Sequence, residues 1–448
     1  MKKVKNRALC ALLLVAMSII GLGFFTVRLA VVGGRWASAS FNTTAYSGGT
    51  LIKGKLTDRN GVVLAGVKDG KRVFADSSDV RRATLHAVGD LQGKIGTGAL
   101  TVFAPKLIGY NFFTGAYSRT GEGRTAALTI DSKLNVAAHK ALGGRRGAVM
   151  VMNYKTGEVL CMVSNPSFDP TKTPGNVDSD PAYEGVYLNR AISSAFTPGS
   201  TYKLITAAAA IENISGIFDR EFVCEGSLKT ANGTVTCSRT HGKLTFERAL
   251  TVSCNCAFGE MALELGAETL AAYSKKYGLS ERTTVGGILT AKSGFDKAAP
   301  GTADLAWSGI GQYNNLVCPA AMLRYVGAIA NDGKAADMEL LKKTGVAAVF
   351  SGSAKRIMRS DTARQLGGMM DYSVHQKNVA GNFPGLELHA KTGTAETGGG
   401  KNSHAWFTGY ITNEGHPYAF VVIVENGGGG FAVASPIANK VLQAAVKG

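Results

Sequence analysis

The chain has 448 residues, 45 % of them hydrophobic and 18 % charged, a globular composition that is long enough for two or three domains and excludes a disordered chain. The formal net charge of +17 is uneven: residues 1–146 carry 22 Lys and Arg against 7 Asp and Glu, whereas residues 147–448 carry 27 against 25. This asymmetry predicts a boundary near residue 146 and an anionic neighbour for the basic part: phospholipid head groups, a wall polymer or a partner protein. Nucleic acid is not expected as a partner, because the apolar run at residues 8–27 places the basic part outside the cytosol.

Residues 1–35 predict a cytoplasmic tip and a transmembrane anchor. Four basic residues in "MKKVKNR" precede Ala8–Val27, which carries no charge, and twenty residues of helix rise about 30 Å, the thickness of a bilayer core. A cleaved signal peptide is the alternative, with Ala37-Ser38-Ala39 as a cleavage-like site, but the apolar run of a signal peptide is only about 7–15 residues long. We therefore expect a single-pass protein of the plasma membrane, with its N-terminus in the cytoplasm and its remaining residues extracytoplasmic.

Residues 36–146 are interpreted as a small, extended α+β pedestal module. Residues 36–60 are rich in Ser, Thr, Gly and Lys and predict an extended stalk. The stretch "GKLTDRNGVVLAG", residues 54–66, predicts two strands joined at an Asn-Gly turn. Residues 67–130 are only weakly periodic, and we expect a small mixed region there.

Residues 147–448 predict an α+β domain with an antiparallel sheet flanked by helices. Two β-rich runs surround a polar turn in residues 146–164, and Pro198-Gly199 breaks the chain before an Ala-rich helix that is expected to start at Ser200. Residues 246–269 and 318–331 also have helical spacing. Residues 404–427 alternate like two strands, and residues 435–447 predict an amphipathic helix. This order of elements, from a hairpin through helices to strands and a final helix, is typical of a sheet covered by helices.

The tripeptide Lys-Thr-Gly occurs three times, and its setting distinguishes the copies. Residues 155–157 lie in a hairpin turn, where Gly supplies the unusual backbone angles, and residues 343–345 lie in a short basic connector. Residues 391–394, Lys-Thr-Gly-Thr, follow the apolar run "GLELHA" and precede a second strand. This third copy therefore predicts a strand that lines a groove: Lys391 adds positive charge, Thr392 and Thr394 add donors for a carboxylate, and Gly393 leaves room for a substrate beside the backbone.

Two further motifs have the residue types of nucleophilic catalysis. In Ser200-Thr201-Tyr202-Lys203 the first and last residues share one helix face, so the Lys amine can reach the Ser hydroxyl and act as its base if its pKa falls. The alternative is a helix-capping Ser with a solvated Lys. About fifty residues later, Ser253-Cys254-Asn255 offers a hydroxyl that could relay a proton and an amide that could bind a substrate amide.

The cysteines suggest a disulfide rather than a metal site. Cys224 and Cys237 flank a polar stretch that contains Gly, and an exported compartment permits a disulfide between them, with two free thiols as the alternative. Cys254 and Cys256 have no Cys/His cluster at ligand spacing beside them in the sequence, so no metal is expected. No organic cofactor is expected either.

Together the three motifs resemble those of the penicillin-binding proteins and serine β-lactamases. Further stretches resemble the monofunctional (class B) penicillin-binding proteins, with Lys53 where an Arg is usual, and the resemblance covers roughly residues 50–445. The stretches are "GKLTDRNGVVLA", "GAVMVMNYKTGEVLCMVSNPSFDP", "NRAISSAFTPGSTYK", "SGIGQYNNLVCPAAM" and "HAWFTGY". The resemblance implies the fold of a penicillin-binding-protein or serine β-lactamase-like transpeptidase domain.

The resemblance also implies a function. A protein of this kind would be a D,D-transpeptidase that cross-links peptidoglycan stem peptides ending in D-Ala-D-Ala. The reaction would pass through an acyl-enzyme on Ser200, and β-lactams would acylate the same residue. Lys203 would be the base, Ser253 the relay, Asn255 the holder of the peptide, and Lys391 and Thr392 the carboxylate site, with the oxyanion between the N–H groups of Ser200 and Thr394.

Two alternatives stay open: a D,D-carboxypeptidase or β-lactamase, and a non-catalytic β-lactam-binding scaffold or sensor. A β-lactamase is disfavoured because the sequence downstream of Asn255 contains no Glu-x-x-x-Asn motif. Because residues 36–146 are too few for a glycosyltransferase domain, the resemblance further implies a membrane glycosyltransferase of the SEDS family as a partner. The sequence does not distinguish a role in elongation, division or sporulation.

Overall fold

In the computed structural model the described residues are 2–39, 42–110, 122–343, 353–377 and 379–447. The chain begins with helix α1, Lys2–Ala37. Within its residues 2–34, an 18-residue stretch has a mean hydropathy of 2.6 and none of it is buried, so this helix is long and apolar enough to cross a membrane. Its last turns meet the folded region, where Gly34 approaches Pro105. The structure therefore provides a candidate membrane anchor.

The segment after α1 is folded rather than extended. The extended stalk expected over residues 36–60 is wrong, because a hairpin turns at Gly48 and Gly49, whose φ angles of 55° and 79° suit glycine. The hairpin predicted for residues 54–66 is confirmed, with Thr57 paired with Val63. The elements of this segment are β1 Tyr46–Ser47, β2 Thr50–Leu51, β3 Lys55–Thr57, β4 Val63–Lys68, β5 Lys71–Phe74, α2 Ser78–Ala83, α3 Leu85–Val88, α4 Ala99–Val102, α5 Ala104–Ile108, β6 Thr125–Ala127 and α6 Ser132–Leu142.

A buried arginine holds the start of this region together. The Arg72 guanidinium donates to the backbone carbonyls of Leu51, Lys53, Gly54 and Gly66 at 2.6–3.1 Å. Burial lowers the pKa of Arg72 to about 10. The guanidinium therefore links the β2–β3 connection to β4 through four backbone carbonyls.

The C-terminal region is built around a five-stranded antiparallel sheet, whose strands lie side by side in the order Leu388–Ala395, His404–Ile411, Tyr418–Val424, Gly147–Asn153 and Val159–Asn165. The hairpin predicted for residues 146–164 supplies two of these strands. The elements of this region are β7 Gly147–Asn153, β8 Val159–Asn165, α7 Lys203–Asn213, β9 Glu221–Cys224, β10 Ser227–Thr230, β11 Gly233–Thr236, β12 Gly242–Thr245, α8 Phe246–Val252, α9 Asn255–Lys276, β13 Thr284–Val285, β14 Ile288–Leu289, α10 Ala303–Ile310, α11 Pro319–Ala330, β15 Lys334–Ala336, β16 Ala354–Arg356, α12 Ser360–Gln376, β17 Leu388–Ala395, β18 His404–Ile411, β19 Tyr418–Val424 and α13 Ser435–Lys447.

Both faces of the central sheet are buried, which explains the continuous apolar runs of its strands. In β7, Met150 and Met152 point into a core that includes α7 and α11. The alternate residues Val149 and Val151 point to the opposite face, which α6 and α13 cover. The expected α+β architecture, an antiparallel sheet flanked by helices, is confirmed.

Candidate active site

Ser200 lies on a tight turn beside the edge strand of the sheet. Residues Gly199–Thr201 form a short 3₁₀ helix, and α7 begins at Lys203, three residues later than expected. Gly199 has a φ of 53°, and a Cβ there would lie 2.5 Å from the carbonyl oxygen of Thr394. The Thr201 hydroxyl donates to the carbonyl of Pro198 at 2.8 Å. Glycine is therefore needed for the turn to approach β17.

Two aromatic side chains fix this turn from below. Tyr202 is fully buried, stacks on Phe295 at 6.0 Å, and its hydroxyl makes a hydrogen bond with Ser274 Oγ. The indole N–H of Trp406 donates to the carbonyl of Thr197 at 2.9 Å. The turn is thus attached to the helical core on one side and to β18 on the other, which limits the motion of the Ser200 hydroxyl.

Ser253 lies in a break between two helices. The helical segment expected over residues 246–269 is divided: α8 ends at Val252, Ser253 has a left-handed backbone with φ 57° and ψ 44°, and α9 begins at Asn255. The Cys254 Sγ accepts a hydrogen bond from Ala257 N and caps α9. Because Ser253 is outside both helices, its hydroxyl can point toward α7 and β17.

The Lys203 amine is the centre of a polar network. Its Nζ lies 2.6 Å from the Ser253 carbonyl oxygen, 2.7 Å from Asn255 Oδ1 and 3.2 Å from Ser253 Oγ. The amide of Asn255 is oriented because its Nδ2 donates to Thr236 O at 2.8 Å. Within the part of the chain that the structure describes, Ser200 Oγ makes no hydrogen bond to Lys203. The predicted contact between the first and last residues of the motif is therefore replaced by a contact between Lys203 and the Ser253–Asn255 turn.

The Lys391 amine also contacts the Ser253 hydroxyl. Its Nζ lies 3.0 Å from Ser253 Oγ and 3.0 Å from the carbonyl of Thr392. Burial lowers the pKa of Lys203 to about 7. Burial, followed by the nearby Lys203 and Lys377, holds the pKa of Lys391 well below its usual range. Both lysine side chains therefore lose a proton at a lower pH than an ordinary amine does.

The strand β17 carries the third Lys-Thr-Gly at the edge of the sheet. Lys391 pairs with Thr408 and Gly393 with Trp406, and β17 has one strand neighbour within the described sheet. The free edge of β17 faces Ser200. An edge strand presents unpaired N–H and C=O groups to which an extended peptide can add as a further strand.

The role expected for Gly393 is corrected by the packing. A Cβ at this position would lie 2.8 Å from the carbonyl oxygen of Pro198 and 2.8 Å from Cγ2 of Thr201. The missing side chain therefore makes room for the Ser200 turn, and the space is filled by protein rather than left for a substrate. The Thr394 hydroxyl accepts a hydrogen bond from Gly430 N at 3.2 Å, which leaves its proton available to donate.

Most of the predicted site residues line a single cleft. It has a volume of about 590 Å³, and Ser200, Ser253, Asn255, Thr392 and Thr394 line it. The two lysines lie at its floor through their hydrogen bonds to Ser253. Side chains that the sequence motifs did not assign also line it: Asp304, Trp307, Gln312, Tyr313 and Glu396. Tyr313 has a φ of 60°, which is unusual for a bulky residue and typical of functional sites, and only the family-like stretch "SGIGQYNN" signalled this loop.

The other Lys-Thr-Gly copies lie elsewhere. Lys155–Gly157 forms the turn between β7 and β8, where Lys155 Nζ donates to Asn331 Oδ1 at 3.0 Å and Gly157 has a φ of 79°. The structural role predicted for this copy is confirmed. In the remaining copy, Lys343 pairs with Glu339 at 2.6 Å, whereas residues 344 and 345 lie outside the described residues.

The cysteines are arranged differently from the expectation. Cys224 and Cys237 are free thiols in the structure, so the predicted disulfide is absent between these described residues. Instead, the ligand atoms of Cys224, Cys237, His241 and Cys254 all lie within 4.8 Å of one another. The expectation that no Cys/His cluster accompanies Cys254 is therefore wrong, because residues far apart in the sequence meet in the fold.

Comparison with known proteins agrees with this geometry. Residues 147–443 match the family model "Penicillin binding protein transpeptidase domain". The chain is 28% identical over 376 residues to the peptidoglycan D,D-transpeptidase PbpA of Mycobacterium tuberculosis. This alignment covers 75% of each chain. A ceftriaxone acyl-enzyme structure of penicillin-binding protein A from M. tuberculosis superposes with a TM-score of 0.76 at 24% identity, covering 88% of this chain and 98% of that one. A D,D-transpeptidase domain from Eggerthella lenta gives a TM-score of 0.75 at 25% identity, covering 88% of this chain and 98% of that one.

The chain therefore belongs to the penicillin-binding protein transpeptidase family. The central sheet, the free edge of β17 and the cleft at Ser200 all lie within the matched region.

Proposed function

We propose that this protein is a serine D,D-transpeptidase that cross-links peptidoglycan stem peptides and is acylated by β-lactams. The Ser200 oxygen attacks the carbonyl between the last two D-Ala residues, its proton passes to the neutral amine of Lys203, and the bond to the terminal D-Ala breaks. Ser253 passes a proton to the leaving D-Ala amine. An amine of a neighbouring stem peptide then attacks the acyl-enzyme and forms the cross-link while Ser200 regains its proton.

Charge and hydrogen bonding support the roles of the remaining residues. Lys391 and Thr392 would hold the terminal carboxylate, and the Asn255 amide would hold the peptide. The backbone N–H groups of Ser200 and Thr394 would bind the oxyanion, an interaction whose loss typically costs about 10²–10³ in rate. Gly393 allows these two N–H groups to face one cleft, because it lets β17 approach the Ser200 turn.

The observation that carries the proposal is the position of Ser253 between two lysines beside Ser200. A neutral Lys203 amine has two N–H donors, which the Ser253 carbonyl and Asn255 Oδ1 accept at 2.6 and 2.7 Å. Its lone pair is then free to accept a proton from a hydroxyl. Lys391 donates to Ser253 Oγ at 3.0 Å, and Lys203 Nζ lies 3.2 Å from the same oxygen, so the Ser253 hydroxyl bridges the two amines and can relay a proton between them.

The test uses the purified full-length chain in detergent with a fluorescent penicillin. We expect covalent labelling of the wild type and of the control Ser227→Ala, whose site is exposed on β10, and none of Ser200→Ala. With stem peptides that end in D-Ala-D-Ala, the wild type should release D-Ala and form dimers in equal amounts. Release of D-Ala without dimers would indicate a carboxypeptidase, and rapid turnover of the penicillin would indicate a β-lactamase. Unchanged wall cross-linking in cells that carry only the Ser200→Ala variant would indicate a scaffold.

We further propose that α1 anchors the protein in the plasma membrane with Lys2, Lys3 and Lys5 on the cytoplasmic side. A SEDS-family glycosyltransferase would contact α1 and the segment over residues 50–146. In support, Gly21 and Gly23 have no atom within 4 Å of a Cβ built on them, so a partner helix could approach closely there. Affinity purification from membranes should recover such a glycosyltransferase with the wild type and less with Gly21→Leu/Gly23→Leu, and recovery of none would contradict this proposal.

A further inference from the structure

Four sulfur and nitrogen ligands meet beside the Ser253–Asn255 turn. Cys224 ends strand β9, Cys237 follows β11, His241 precedes β12, and Cys254 lies at the start of α9. Three short strands and one helix therefore bring together side chains that span thirty positions of the chain. All four ligand atoms lie within 4.8 Å of one another.

The distances among these atoms suit a tetrahedral ion. The Cys224 and Cys237 sulfurs each lie 3.4 Å from His241 Nδ1, and the Cys237 and Cys254 sulfurs lie 3.9 Å apart. Bond lengths of about 2.3 Å for Zn–S and about 2.0 Å for Zn–N give tetrahedral edges of about 3.8 Å between sulfurs and about 3.5 Å between sulfur and nitrogen. These three edges therefore lie close to those of a Cys₃His zinc centre, and the other three are no longer than 4.8 Å.

Backbone donors to two of the sulfurs add a second observation. Asn255 N lies 3.2 Å from Cys237 Sγ, and Ala257 N lies 3.5 Å from Cys254 Sγ. Such N–H groups orient metal-bound thiolates and offset their charge. The described set contains no carboxylate, and soft sulfur ligands with one imidazole favour Zn²⁺ over Mg²⁺ or Ca²⁺.

We propose that Cys224, Cys237, His241 and Cys254 bind one Zn²⁺ ion that fixes the Ser253–Asn255 turn. Four protein ligands close the coordination sphere, so the ion is structural and takes no part in the reaction. Cys254 stands between Ser253 and Asn255, and the Asn255 amide also bonds to Thr236, the residue before Cys237. Zinc would therefore hold the β9–β12 strands and the catalytic turn as one unit.

The first experiment measures metal content in the purified full-length chain, prepared under reducing conditions without chelator. We expect about one zinc per chain in the wild type and in the control Cys161→Ala, whose thiol is buried in β8 away from the cluster. Cys237→Ala should retain almost none, and Cys237→Asp, which keeps a zinc ligand, should retain more. Replacement of Zn²⁺ by Co²⁺ should give thiolate charge-transfer absorption that Cys237→Ala lacks.

The second experiment measures acylation by fluorescent penicillin, and this coupling rests on the proposed function. Removal of zinc by a chelator should lower the acylation rate by roughly 10²-fold, the cost of a displaced catalytic group, and added Zn²⁺ should restore it. Ser200→Ala should bind zinc normally without labelling, so failure of the function and failure of the metal site give different results. The proposal would be overturned by any of three results: a wild type that is fully labelled but contains no zinc, a Cys224–Cys237 disulfide in the native protein, or one zinc per chain in Cys237→Ala.

Discussion

Lys203 and Lys391 bring their amines to the same hydroxyl, Ser253 Oγ, at 3.2 and 3.0 Å. Both side chains are buried, with 0% and 4% of their surface exposed. Two ammonium groups so close in a buried site repel each other and are poorly solvated. The arrangement therefore favours a state in which one amine is neutral and can act as a base while the other keeps its charge for a carboxylate.

The first prediction concerns the pH dependence of acylation. Because burial lowers the pKa of Lys203 to about 7, the amine is protonated and inactive as a base below that pH and neutral above it. The rate of labelling by fluorescent penicillin should therefore rise with pH, reach half its plateau near pH 7 and level off. Stopped-flow or gel-based rates at fixed ionic strength measure this profile, and a rate independent of pH between about 5 and 9 would rule out Lys203 as the base.

The second prediction uses Lys377 to move that profile. The charge of Lys377 lowers the pKa values of both Lys203 and Lys391, and its side chain lines a cavity of about 310 Å³ behind Lys391. Removing this positive charge in Lys377→Gln should raise the pKa of Lys203, so the midpoint of the acylation profile should shift to higher pH. The exposed Lys355→Gln is the matched control and should leave the midpoint in place. An unchanged midpoint in Lys377→Gln would show that this charge does not reach the base.

The third prediction tests the corrected role of Gly393. A methyl group there would lie 2.8 Å from both Pro198 O and Thr201 Cγ2, so Gly393→Ala must push β17 away from the Ser200 turn. Overpacking of this kind costs about 1–3 kcal/mol of stability, and we expect a lower melting temperature together with slower acylation. The control is Gly175→Ala, at which a Cβ meets no atom within 4 Å. Normal stability with slow acylation would instead indicate a clash with substrate.

Local patterns predicted much of this molecule. Runs of β-favouring residues over 146–164 and 404–427 predicted four strands of the central sheet, and the Ser200, Ser253 and Lys391 motifs, through their family resemblance, indicated one cleft. The role of Gly393 could not be predicted, because the atom that its absent Cβ would meet belongs to the Pro198 turn, which is distant in the sequence. Likewise, Cys224 and Cys254 meet only when separate strands and a helix pack together, so their spacing carried no metal signature.

The last prediction concerns the joint between the N-terminal and C-terminal regions. The Arg81 guanidinium binds both carboxylate oxygens of Asp169, at 2.8 and 2.6 Å, and the two side chains are only 14% and 7% exposed. The hydrogen bond from Arg81 holds the pKa of Asp169 well below its usual range. Arg81→Met leaves this carboxylate without its cation, and loss of one partner of a buried pair costs about 3–5 kcal/mol.

We therefore expect Arg81→Met to lower the free energy of unfolding by several kcal/mol near neutral pH. The loss relative to the wild type should shrink as the pH falls through the depressed pKa of Asp169, since protonation weakens the pair in the wild type as well. The exposed pair Lys94–Asp178, with 43% and 71% of its side-chain surfaces accessible, supplies the control. Lys94→Met should cost at most about 1 kcal/mol. Denaturant unfolding measures the free energy of unfolding of both variants. If Arg81→Met and Lys94→Met lowered it equally, the Arg81–Asp169 pair would not stabilise the joint.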